Sequence, residues 1–64
     1  MEIVAKQGTR LLVRTGVDEY GTAYGFIADE ALTPLGPEKA LITHLARGYW
    51  EPVIPDPQIV KRLA

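Results

Sequence analysis

Three stretches near the N-terminus carry strand-like patterns: the short apolar runs "EIVAK" (2–6) and "RLLVRT" (10–15), and "YGTAYGFI" (20–27), in which large and small residues alternate. A period of two is the mark of strands with one buried face. Gln7-Gly8-Thr9 separates the first pair and Gly16-Val17-Asp18-Glu19 the second, both of hairpin-loop length. A three-residue first loop pairs Lys6 with Arg10, Ala5 with Leu11 and Glu2 with Arg14. It gathers the apolar side chains at the cost of one like-charge pair, whereas a two-residue loop would turn every side chain of the first strand over. A four-residue second loop sets Thr15 opposite Tyr20, Val13 opposite Thr22 and Leu11 opposite Tyr24. Ile3, Ala5, Leu11, Val13, Tyr24 and Phe26 then line one face, the expected core.

Further along, "ADEALTPLG" (28–36) predicts a helical turn opened by Asp29 and ended before Pro34. In "GPEKALITHLARG" (36–48) the period changes to that of a helix. Pro37 suits the first helical position, Glu38 the positive end, Arg47 the negative end, and Gly48 a left-handed stop. The spacing predicts a helix over 37–47 whose stripe Leu41, Ile42, Leu45 and Ala46 covers the expected core, leaving Lys39, Thr43 and Arg47 in solvent. "YWEPVI" (49–54) reads as an extended edge segment, because Pro52 can donate no ladder hydrogen bond. "DPQIVKRLA" (56–64) predicts a short helix capped by Asp56, with Ile59, Val60 and Leu63 available for packing.

The expected fold is α+β: a three-stranded antiparallel β-meander packed on one α-helix, then an extended Pro-rich segment and a short C-terminal helix. The alternative is a small SH3-like barrel, should 49–54 complete the sheet. Residues 1–48 would form the core and 49–64 an arm of the same single domain.

The opposite sheet face is unusual. Arg10, Leu12 and Arg14 project there beside Gly21, Ala23 and Gly25, a strip nearly without side chains that permits close approach by another chain, a second sheet or a flat ligand. Tyr49 and Trp50, next to Arg47 and His44 in "HLARGYWEP", have the composition of an interface hot spot. The same turn also suits one aromatic anchoring the arm to the core. Arg10, Leu12, Arg14, Gly21, Ala23, Gly25, Tyr49 and Trp50 are therefore the candidate protein-interface residues.

Length sharpens this reading. The chain has 64 residues, and one so short buries only about 60% of its unfolded surface, so a partner subunit is a usual source of extra stability. It contains no cysteine, which removes disulfides and the common zinc sites and fits a reducing compartment. No N-terminal run reads as a signal peptide and no apolar run is long enough to span a bilayer, so the expectation is a cytoplasmic protein with no membrane partner.

Candidate chemistry is sparse. Cysteine and serine are both absent and His44 is the single histidine, so the usual Ser-His and Cys-His nucleophiles are excluded. Asp18-Glu19 and Asp29-Glu30 fall at turns, where Asp is favoured for backbone reasons, and lack the alternating ligands of a calcium loop. No enzyme, cofactor or metal is expected, and His44 reads as a boundary residue bonding locally. The leading expectation is a small non-enzymatic protein-interaction or regulatory module, with a homodimer as the first partner to consider. The alternative is nucleic-acid binding through Arg10, Arg14, Arg47, Lys61 and Arg62 with aromatic stacking. The balance of 7 basic and 8 acidic residues disfavours it, because phosphate affinity comes from clustered cations.

Overall fold

A computed structural model describes residues 1–53 of the chain. They form one antiparallel sheet of five strands and one short helix. The strands are β1 (Glu2–Gln7), β2 (Arg10–Val17), β3 (Ala23–Ala28), β4 (Lys39–Ala40) and β5 (Glu51–Pro52), and α1 spans Leu41–Leu45. The sheet order is β4-β3-β2-β1-β5. The three strand-like stretches supply the central strands, the third only from Ala23, and the sheet is wider than the three-stranded one expected. "YWEPVI" joins it through β5, whose Glu51 and Pro52 pair with Lys6 and Ala5 of β1. The helix expected over 56–64 lies outside the described residues.

The first hairpin combines both loops considered for it. Glu2 opposes Arg14 and Ile3 opposes Val13, as the three-residue loop required. After an irregularity between Ile3 and Ala5, however, Ala5 opposes Leu12, Lys6 opposes Leu11 and Gln7 opposes Arg10, closing on the two-residue Gly8-Thr9 loop. The extra residue of a bulge absorbs the difference. This solution separates Lys6 from Arg10 and sends Val4 and Ala5 together into the buried cluster, at 6% and 4% exposure.

The second hairpin is corrected by four positions: Val13 opposes Phe26, Leu12 opposes Ile27 and Arg14 opposes Gly25. Asp18 causes the shift. Its Oδ1 accepts the backbone N–H groups of Tyr20 (2.9 Å) and Thr22 (2.8 Å), and its own N–H donates to the Thr22 carbonyl at 2.9 Å, closing a loop over residues 18–22. Tyr20 is thereby a loop residue, 85% exposed, and not a strand residue. A shift by an even number preserves which side chains share a face, so Leu11 and Val13 still stand with Phe26.

The helix departs from expectation in length and in place. Lys39 and Ala40 pair with Gly25 and Tyr24 and supply partners along the outer edge of β3, a demand that backbone groups impose before helix propensity counts. Only Leu41–Leu45 remains helical. Gly48 is not a left-handed stop: positive φ among the described residues occurs at Gly8, Gly21 and Leu32. At Gly48 the loop passes over Gln7, and a Cβ there would lie 2.6 Å from Gln7 Nε2, which donates to the Tyr49 carbonyl at 2.9 Å.

Most importantly, α1 covers the opposite face from the one expected. Leu41, 2% exposed, packs with Val4, Ala5, Leu12 and Ala23, and Ile27, Leu45 and Trp50 close around them. Gly25 makes this possible. A Cβ at that position would strike the Val13 carbonyl and stand 2.6 Å from Leu41 Cδ2. The bare strip is thus the seat of the chain's own helix. Of the expected core, Ala5 and Val13 are buried, Ala5 on the helix side, whereas Ile3, Leu11, Tyr24 and Phe26 are half-buried.

Candidate functional site

Two loops of matching sequence, "DEYGT" (18–22) and "DEALT" (29–33), adopt the same hydrogen-bonded form. Asp29 Oδ1 accepts from the N–H groups of Ala31 and Thr33, each at 2.9 Å, as Asp18 Oδ1 does from Tyr20 and Thr22. In both, the aspartate N–H donates to the threonine carbonyl, and the fourth residue's N–H donates to the aspartate carbonyl. The second loop therefore replaces the expected helical turn. Both carboxylates are spent on the backbone, an arrangement typical of short polar side chains at turns.

The loops differ at their fourth position, which has positive φ in each: +80° at Gly21 and +65° at Leu32. Glycine adopts this conformation freely, while a leucine there carries roughly 1–2 kcal/mol of steric cost. The strained side chain is 45% exposed, so burial does not explain its retention. It lines an apolar groove on the sheet face that α1 leaves open, together with Met1, Glu2, Ile3, Val13, Phe26 and Val53. Met1 is 84% exposed and Val53 is exposed as well. Val13 and Phe26, directly opposed across β2 and β3, meet at this site.

The candidate interface residues are distributed differently from the expected open strip. Leu12, Ala23 and Gly25 lie inside the chain beneath α1, which corrects the expectation of a face bare to a partner. Gly21 sits in the first of the two loops. Arg14 forms an ion pair with Glu2, and Arg10 is exposed at the start of β2. Trp50 packs against the core and its Nε1 donates to the His44 carbonyl at 3.2 Å, while Tyr49 stays 80% exposed. Trp50 is therefore the aromatic that anchors the segment. Of the alternative nucleic-acid set, Arg47 is exposed, and Lys61 and Arg62 lie outside the described residues.

His44 is a tie between elements. It is 5% exposed, and its Nε2 donates to the Gly25 carbonyl at 3.1 Å, joining α1 to β3 beside the glycine on which Leu41 rests. Thr15, the unpaired residue of the bulge in β2, places its hydroxyl 3.0 Å from Glu38 Oε2 and 3.2 Å from the Tyr24 carbonyl. Among the described residues no three His, Asp or Glu side chains stand close enough to hold a metal ion. No helix among them is long and apolar enough to cross a membrane.

The sequence pattern does not show the groove, because it places Ile3, Val13 and Phe26 under a covering helix and Leu32 in a helical turn. The available signal was the pair of D-E-x-x-T loops, whose fourth position calls for glycine and holds leucine in one copy. The chain matches no family model, no curated protein and no solved structure.

Proposed function

We propose that this chain is a small non-enzymatic protein-interaction module that associates with a second copy of itself through the apolar face around Phe26. The observation that carries the reading is Leu32, held at φ +65° with its side chain at the wall of an open apolar groove. Strained conformations concentrate at ligand clamps and contact surfaces, where a gain on binding offsets their cost. An apolar patch on so small a domain also marks a contact site. The sheet edges favour use of the face: β4 is two residues long and β5 contains Pro52, both devices that blunt edge-to-edge pairing.

Sedimentation of the full chain over a wide concentration range tests this reading. Leu32→Asn is the informative variant, because asparagine tolerates left-handed φ and removes the apolar contact. A concentration-dependent dimer that Leu32→Asn weakens is the expected result. A monomer at every concentration overturns self-association, and a dimer indifferent to Leu32→Asn overturns the groove as its site.

A further inference from the structure

The described chain ends at Val53, which is itself part of the groove wall, and eleven residues follow it, "IPDPQIVKRLA". We propose that the occupant of the groove is this segment, residues 54–64, supplied by the second copy and exchanged reciprocally between the two molecules. The inference rests on the self-association proposed above and names what fills its site.

Three observations lead there. The first is chemistry. The segment carries Ile54, Ile59, Val60 and Leu63 to match Ile3, Val13, Phe26 and Leu32, and Lys61 and Arg62 to match Glu30 in the Leu32 loop.

The second is reach. Proline-rich chain reaches about 3.1 Å per residue when extended, so a five-residue stretch can cover roughly 16 Å. Val53 follows β5, and the three strand spacings from β5 to β3 amount to about 14 Å. A reach of that size crosses the sheet face and suffices to deliver the apolar residues of the segment to the groove of a neighbouring copy. The third is closure. An exchange related by a two-fold axis uses the same contact twice, and once one segment is seated the second binds at the high effective concentration of an intramolecular event.

The natural absence of cysteine gives a clean experiment. Leu32→Cys and Leu63→Cys are made as separate full-length chains, mixed in equal amounts and oxidised mildly, and the covalent heterodimer is quantified by non-reducing electrophoresis and peptide mass spectrometry. Met1→Cys serves as a second groove label insulated from folding, being 84% exposed, and Ile42→Cys on the helix as the control away from the groove. The expected result is cross-linking of Leu63→Cys to either groove label about tenfold faster than to the Ile42→Cys control, on the scale of a raised effective concentration. Equal rates at groove and control overturn the proposal. So does a double variant, Leu32→Cys with Leu63→Cys, that closes its disulfide only within one chain. Sedimentation of the unmodified chain separates the two readings: a dimer without preferential cross-linking removes the segment as occupant and leaves self-association standing, whereas a monomer removes both.

Discussion

Leu32 and Gly21 occupy one position of one loop type, so each serves as the other's control. At most sites Gly in place of Ala destabilises a protein through the entropy of the unfolded chain. At position 32 the positive φ reverses that order: Leu32→Gly should be more stable than Leu32→Ala by about 1 kcal/mol, and Gly21→Ala should cost a similar amount. Urea denaturation of the three variants measures this, and an Ala variant at 32 as stable as the Gly variant would refute strain at that residue. Asp18 and Asp29 each accept two backbone N–H groups. Replacing either by Ala should cost about 1–3 kcal/mol, the range for losing hydrogen bonds to a charged acceptor. Both aspartates could be read from sequence as turn residues. The backbone strain could not, since it depends on where the chain returns to β3.

At the scale of elements, a local signal was overruled wherever a neighbouring strand needed partners. Pro37 and Glu38 open a helix by every local rule, yet Lys39 and Ala40 complete the outer edge of β3 and the helix begins only at Leu41. The short helix is then held from both sides. Leu41 rests on Gly25, His44 donates to the Gly25 carbonyl, and Trp50 donates to the His44 carbonyl. Gly25→Ala forces a Cβ against the Val13 carbonyl and Leu41 and should cost roughly 1–3 kcal/mol or more, much of the roughly 3–10 kcal/mol available to a chain of this length. Thermal unfolding with a Tm unchanged from the natural chain would contradict that seat. Trp50→Phe keeps the ring and loses the indole N–H, so a smaller loss of about 1 kcal/mol is expected from denaturant titration. The strand-like runs located β1 and β2 and the later part of the third stretch, which enters the sheet only at Ala23. The registers depended on loop closure: Asp18 moved the second hairpin by four positions, and a bulge near Val4 divided the first between two loops.

For the whole molecule, the question is which face of the sheet remains to be covered. Self-association through the Phe26 face predicts that Leu32→Asn weakens the dimer while leaving the fold intact, so sedimentation and circular dichroism should separate. A variant that loses both together would indicate damage to the fold instead of to a contact. Two sets of side chains, Leu11, Val13 and Phe26 on one side and Leu12, Gly25 and Ile27 on the other, follow from alternation and survive an even shift of register. Pattern in the chain therefore gives the first two strand runs and the placing of Asp18 and Asp29 at turns, because each depends on residues near one another in sequence, whereas the bulge near Val4 moves Ala5 to the other face. The choice of face for the helix does not follow from pattern. More apolar side chain stood on the Phe26 face, yet the helix lies on the other, where Gly25 and Ala23 leave room for Leu41 and where the Gly25 carbonyl meets His44. Close approach of an element more than a dozen residues away is a matter of volume and of hydrogen-bond partners in three dimensions, and it is this packing that leaves the Leu32 groove open.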